Sequence, residues 1–195
     1  MPARKRVGVL ALQGDFEAHQ KALERAGAEA VQVRTAAELR EIDGLVIPGG
    51  ESTTMLKLLD FMDLKEPLRR FVREKPVFGT CAGAILMAKD VQNPSQESFG
   101  AVDLTVERNG YGRQIDSRVA RIEPEAEFQR RAGAGNVEAV FIRAPIIRRT
   151  GPEVRVLAEY DGDPVLVEQG KHLIATFHPE LTNDARVHKL FLSKL

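Results

Sequence analysis

Cysteine occurs once in this chain, at position 81, within Gly79-Thr80-Cys81-Ala82-Gly83. The apolar run Pro76-Val77-Phe78 precedes it, and the helix-prone Ala84-Ile85-Leu86-Met87-Ala88-Lys89 follows. A strand that turns through a glycine-flanked nucleophile straight into a helix is a nucleophile elbow. The turn leaves no room for side chains beside the nucleophile and demands backbone angles that are costly for other residues. The helix N-terminus favours thiolate over thiol, and the thiolate is the attacking species. The plainer alternative is a buried structural cysteine beside a tight turn. The flanking glycines weigh toward catalysis.

A cysteine nucleophile needs a base. Of the four histidines, His178 alone stands at the end of an apolar stretch with an acid just beyond it, in Phe177-His178-Pro179-Glu180. In an extended segment, residues two apart face the same side. Glu180 is thus expected to hold the His178 imidazole in one orientation while the ring faces Cys81, which is triad logic with cysteine as nucleophile. His19 and His188 fall in helical stretches and His172 in a turn, and these three are read as structural. His178, Glu180 and Cys81 resemble part of a zinc set, but the four ligands of a structural site are not apparent. No metal is expected.

The elements that must position these groups follow from the hydrophobic pattern. Val7-Gly8-Val9-Leu10-Ala11-Leu12 is a continuous apolar run suited to a central parallel strand. Gln13-Gly14-Asp15 follows it, and then Phe16, Leu23 and Ala26 mark a helix closed by Gly27. Residues 30–34 form a second strand, and Thr35-Ala36-Ala37-Glu38 has capping-box spacing. Gly44-Leu45-Val46-Ile47 is a third strand that stops at Pro48-Gly49-Gly50-Glu51-Ser52. Met55, Leu58, Leu59 and Met62 mark the next helix, and Leu68, Phe71 and Val72 one more before the elbow. This β-α-β-α-β-α-β order predicts an α/β fold with an open, mostly parallel sheet flanked by helices. Its ligand should lie beyond the carboxyl ends of the strands, where the loops at Gln13-Gly14, Gly49-Gly50-Glu51 and Cys81 converge.

The second half reads as antiparallel and added to the same sheet. Val102, Leu104 and Val106 alternate with polar residues, and Val119 and Ile122 do so less regularly. Residues 154–160, the Asp161-Gly162 turn and residues 165–169 form a hairpin, and residues 173–177 pair onward. Val187, Leu190 and Phe191 share one face of a closing helix. No linker, repeat or low-complexity segment interrupts residues 1–195, so one domain is expected.

Charge and composition exclude several roles. The 28 basic and 28 acidic residues balance, which removes bulk electrostatic attraction to nucleic acid or membrane. A single cysteine allows no internal disulfide and fits a reducing compartment. No apolar run approaches the roughly 20 residues of a spanning helix, and a cytoplasmic location is expected.

Gly-x-Cys-x-Gly after a central strand, with His-Pro-Glu near the end, resembles the triad glutamine amidotransferases. Leu12-Gln13-Gly14, Pro48-Gly49-Gly50-Glu51-Ser52-Thr53-Thr54, Glu107-Arg108-Asn109, Gly112-Arg113-Gln114, Phe141-Ile142-Arg143-Ala144-Pro145 and His178-Pro179-Glu180-Leu181-Thr182 narrow this. Together they resemble the glutaminase subunits of pyridoxal 5′-phosphate synthase from Val7 to the last helix. Residues 128–136 depart from that pattern and are read as a surface loop.

The resemblance implies hydrolysis of L-glutamine to L-glutamate and ammonia. It also implies a hetero-oligomeric partner, a synthase subunit that uses the ammonia to build pyridoxal 5′-phosphate from a pentose phosphate and a triose phosphate. No cofactor is implied. Cys81 attacks the amide carbon, His178 moves protons and Glu180 supports the imidazolium. The N–H of Ala82 is the expected first oxyanion donor and that of Gly50 the second. Gly49, Gly50, Glu51, Arg108, Ile142 and Arg143 line the glutamine site by resemblance. Arg108 or Arg143 suits the substrate carboxylate, and Glu51 or a backbone carbonyl the ammonium. Gln13 is expected to sense the partner, by setting a peptide at Gly49-Gly50. Two other readings stand beside this one: a non-catalytic regulatory subunit on the same fold, and a cysteine hydrolase of another specificity, such as a peptidase.

Overall fold

The computed structural model describes residues 4–109 and 117–195, so Gly112-Arg113-Gln114 lies outside the described residues. The first half alternates β1 (Arg6–Leu10), α1 (Phe16–Arg25), β2 (Glu29–Val33), α2 (Ala36–Leu39), β3 (Gly44–Ile47), α3 (Ser52–Phe61), α4 (Lys65–Glu74), β4 (Val77–Thr80) and α5 (Ala82–Met87). Local chemistry sets these boundaries. The Thr35 hydroxyl accepts from the Glu38 N–H at 3.3 Å while the Glu38 carboxylate accepts from the Thr35 N–H at 2.9 Å, a reciprocal cap that starts α2. Strands β3 and β4 are buried along their whole length, as continuous apolar runs in a covered parallel sheet must be.

After α5 come β5 (Ala88–Gln92), β6 (Val102–Glu107), β7 (Ser117–Ile122), α6 (Ala126–Ala132), β8 (Val137–Ile142), β9 (Ile146–Thr150), β10 (Arg155–Tyr160), β11 (Asp163–Gln169), β12 (His172–Ala175), a short 3-10 helix (Pro179–Leu181) and α7 (Arg186–Leu192). The main sheet has seven strands in the order β10-β11-β12-β4-β3-β1-β2. Pairing is parallel from β12 through β2 and antiparallel at β10-β11-β12.

Four expectations change. Only β10 to β12 join the main sheet; β5-β6-β9 and β7-β8 form two smaller sheets. The smaller sheets cover opposite faces of the main one. Val91, Val102, Leu104, Val106 and Ile147 pack with Leu10, Ile47 and Leu59. Ala120, Ile122, Val137, Ala139 and Phe141 pack with Val9, Val46 and Phe78. The alternating pattern of β6 is that of a sheet with one buried face, whereas β12 is buried throughout and lies centrally. The elbow helix ends at Met87, because Ala88 takes extended angles and opens β5. Residues 128–136 are not simply a surface loop: Phe128 is fully buried on α6 and anchors it to the core. His172 begins β12 instead of lying in a turn, and its Nδ1 accepts from the Val77 N–H at 3.2 Å.

The order of the parallel strands reverses beside β1, so crevices open at the carboxyl ends of β1, β3 and β4. Strand β12 runs parallel to β4 with Ala175 opposite Thr80. Its continuation toward His178 therefore leaves the sheet on the same side as Cys81.

Candidate active site

Cys81 follows β4 directly and caps α5, with φ 50° and ψ −104°. A non-glycine residue holds such angles only where its surroundings over-determine them, and such strain clusters at functional sites. Two bonds fix it: the Cys81 N–H donates to the Ala175 carbonyl at 3.0 Å, and the Cys81 carbonyl accepts from the Ile85 N–H at 3.2 Å. Gly83 lets α5 lie against β3, since a Cβ there would stand 2.1 Å from the Ile47 carbonyl oxygen. The thiol is largely buried, and its Sγ lies 3.9 Å from the Ile142 carbonyl oxygen.

His178 and Glu180 arrive from the end of β12. The segment is not extended as expected, because Pro179 opens a single 3-10 turn that contains Glu180. The turn still brings His178 Nδ1 to 2.6 Å from Glu180 Oε1, with the glutamate side chain wholly buried. Burial alone would depress the imidazole. Hydrogen bonding and charge from Cys81 and Glu180 outweigh it and push His178 up to about 10. Burial holds Glu180 above the usual carboxylate range, against the pull of His178. Gly49 closes the arrangement from the β3 side: a Cβ there would lie 2.5 Å from His178 Cε1 and 3.3 Å from Cys81 Cβ. The arrangement can deliver a nucleophilic sulfur next to an imidazole that takes and returns its proton.

A cleft of about 290 Å³ opens at Cys81 and His178, and its lining includes Gln13, Gly50, Glu51, Arg108, Ile142 and Arg143. Gly49 lies behind the pair instead of lining the cleft, and Ala82 sits beneath it at the first position of α5. Burial would raise Glu51, but hydrogen bonds from Thr54 and Thr53 at the start of α3 hold its carboxyl down to about 2. Glu51 is therefore a fixed anion whose oxygens are already engaged. Arg108 reaches Thr53 Oγ1 at 2.9 Å and Glu51 Oε1 at 3.4 Å. Arg143 stands at the exposed rim with φ 44°. Gln13 Oε1 accepts from the Glu51 N–H at 2.9 Å and so ties the β1 loop to the β3 loop.

Two further residues stand at the site, one that the sequence reading passed over and one that it took as structural. Asp15 lines the cleft and places Oδ2 3.9 Å from His178 Nδ1. Among the described residues, Asp15, His178 and Glu180 could each turn one ligand atom toward a shared point, but His178 Nδ1 and Glu180 Oε1 already bond each other. The other is His19, fully buried behind Glu180 with Nε2 3.2 Å from Oε2. Its signal was its place on the apolar face of α1, between Phe16 and Leu23.

A cysteine at a strained strand–helix elbow, sharing a cleft with a carboxylate-bonded imidazole at the carboxyl edge of an open sheet, has the geometry that thiol-dependent hydrolases of the α/β type require. Residues 9–195 match the SNO glutamine amidotransferase family, and the chain belongs to it. A relative from Solibacter usitatus (strain Ellin6076), named pyridoxal 5′-phosphate synthase subunit PdxT, is 67% identical over 98% of this chain and 100% of its own. One of the same name from Koribacter versatilis (strain Ellin345) is 59% identical, covering 96% of this chain and 94% of its own. A crystal structure described as a glutamine amidotransferase superposes with a TM-score of 0.86 at 46% identity, covering 96% of this chain and 97% of that one.

Three histidines have the opposite setting from His178. Burial lowers His19 well below its ordinary value, His172 to about 4 and His188 to about 3. A histidine that stays neutral in the fold but takes a proton when unfolded withdraws stability as pH falls below about 6.5, until the folded ring also protonates. The thermal midpoint is therefore expected to fall between pH 7 and pH 5, by about 2–4 °C for each kcal/mol lost in a chain of this size. A midpoint that holds or rises over that interval, followed by calorimetry, would contradict the neutral assignment of these rings.

Proposed function

We propose that this chain is the glutaminase subunit of a pyridoxal 5′-phosphate synthase, acting as one domain. It hydrolyses L-glutamine and hands the ammonia to a separate synthase subunit for vitamin B6 synthesis. The observation that carries the chemistry is the buried His178–Glu180 contact at 2.6 Å beside a strained, cleft-facing Cys81. The subunit assignment is supported by relatives named as synthase subunits that align along nearly their whole length.

Cys81 Sγ attacks the side-chain amide carbon while His178 takes the thiol proton. The tetrahedral intermediate collapses as His178 returns that proton to the departing nitrogen, releasing ammonia and leaving a γ-glutamyl thioester. Water then attacks the thioester with His178 as base, and the proton goes back to the sulfur as glutamate leaves. Glu180 orients the ring and supports its charge without taking the proton. The N–H groups of Ala82 and Gly50 receive the oxyanion. Arg108 and Arg143 offer cations to the substrate carboxylate. The ionised Glu51, with backbone carbonyls, answers the ammonium.

Hydrolysis without a receiver wastes ammonia, so the partner controls the rate. Gln13 is placed for this. Its bond to the Glu51 N–H holds the loop that contains Gly50, so a partner touching Gln13 would reset an oxyanion donor. One such donor is worth about a hundredfold to a thousandfold in rate.

Ammonia release, measured with and without the synthase subunit, is expected to rise about a hundredfold or more on its addition to wild type. Cys81→Ala is expected to be inactive in both states while remaining folded. Gln13→Ala is expected to respond weakly to the partner. Substantial turnover by Cys81→Ala would overturn the mechanism. An isolated wild type as fast as the complex would overturn partner control, and a normal response of Gln13→Ala would remove Gln13 from it.

A further inference from the structure

The second carboxylate oxygen of Glu180 raises a separate question. Oε1 is engaged by His178, but Oε2 is fully buried and has no aligned hydrogen bond among the described residues. A buried, unpaired carboxylate oxygen is costly, and the cost grows when the carboxylate must stay charged. His19 Nε2 stands 3.2 Å from it and also lies 3.0 Å from Thr80 Oγ1. His19 is itself wholly enclosed, on α1, between the end of β4 and α7.

The tautomer of His19 follows from its neighbours. His19 Nδ1 lies 3.0 Å from His188 Nε2, and His188 Nδ1 is buried without a partner among the described residues. If His19 Nδ1 carried the hydrogen, His188 would have to carry one on Nδ1 with no acceptor. A buried donor left unpaired is rarer than an unpaired acceptor. His188 Nε2–H therefore donates to His19 Nδ1, and the hydrogen of His19 sits on Nε2, facing Thr80 and Glu180. Burial keeps both rings neutral.

We infer that His19 is a positioning residue for the Cys81 reaction: its Nε2–H, set by His188, serves the buried Oε2 of Glu180 and helps keep that carboxylate ionised beside His178. A charged carboxylate is a stronger acceptor than the Thr80 hydroxyl, so the shared hydrogen goes to Glu180 whenever His178 is protonated. The other charged groups nearby are accounted for. Asp15, 3.9 Å from His178 on the cleft side, disfavours the Glu180 anion. Arg25 on α1 and Asp184 before α7 act on His188 and oppose each other there. None of these donates to Glu180 Oε2. The inference rests on the reading of Cys81, His178 and Glu180 as one unit.

The test uses the single cysteine. Alkylation of Cys81 by iodoacetamide across pH 5–10 reports thiolate directly, in the isolated chain and without glutamine or a partner. Three variants separate the roles of His19. In His19→Gln the amide nitrogen replaces Nε2 and reaches Glu180. In His19→Asn the shorter amide stands where Nδ1 stood and keeps the His188 bond only. His19→Leu loses both. Losing one hydrogen bond to a buried charge implies roughly tenfold slower alkylation at pH 7, with the rise in rate moved to higher pH, for Asn and Leu. Gln is expected to track wild type. Circular dichroism melts confirm that each variant is folded, and the Gln–Asn contrast stands even if the Leu variant is not. A purely structural His19 would leave Asn as reactive as Gln, or place Gln with Leu, and either result overturns the inference. If His178→Ala leaves the wild-type alkylation profile unchanged, the failure lies instead with the reading of the three residues as one unit.

Discussion

A wholly buried carboxylate bonded to a buried imidazole is the constraint around which this molecule is arranged. Glu180 has no solvent, and its partner His178 is 2.6 Å away with almost none. Each would be expensive alone, since removing one member of a buried pair strands the other, at a cost of about 3–5 kcal/mol. The fold therefore has to deliver both groups together. It does so with Pro179, which turns the chain once just past β12, and with the His178 N–H, which donates to the Val140 carbonyl at 2.8 Å. The small antiparallel β7-β8 sheet, which lies outside the main sheet, thus supports the backbone at the site.

The same constraint gives the cysteine its setting. Parallel pairing of β12 with β4 puts the end of one strand beside the start of the elbow, and the Cys81 N–H bonds across that seam to Ala175. The paired ends of β4 and β12 hold the strained backbone at Cys81, and the loops after β1 and β3 contribute walls of the cleft. Stability and reactivity are divided in this way. The strained Cys81 is held between β4 and β12, and Gly50, Glu51 and Arg143, the residues proposed to meet the substrate, are exposed.

Sequence patterning reached the parallel half well because β1, β3 and β4 are apolar runs that end in glycine-bearing turns, the elbow among them, and His178 drew notice because an acid lies two residues beyond it at the end of an apolar stretch. The second half was harder to read. Alternation in β6 announces a one-sided strand but does not say which sheet it joins, and β12 lies at the centre through a parallel pairing that a hairpin pattern does not suggest. Residues 128–136 were read as a loop from their departure from the family pattern, which does not reveal that Phe128 is buried on α6. His19 was read as structural because it falls in a helical stretch with no acid just beyond it, as Glu180 lies beyond His178. The core it joins happens to be the back of the site. Its neighbour Thr80 and distant His188 come together only through packing of α1, β4 and α7, which no local spacing encodes.

The central claim is a division of labour in which His178 moves the proton and Glu180 only holds and supports it. The most direct measurement is steady-state glutamine hydrolysis by Glu180→Gln and His178→Ala, each assembled with the synthase subunit. The account predicts little change in KM for either variant. It also predicts a kcat for Glu180→Gln that is depressed yet roughly ten- to a hundredfold above that of His178→Ala, as for other triads in which the acid is the least costly member to lose. Equal losses in kcat from the two substitutions would contradict it.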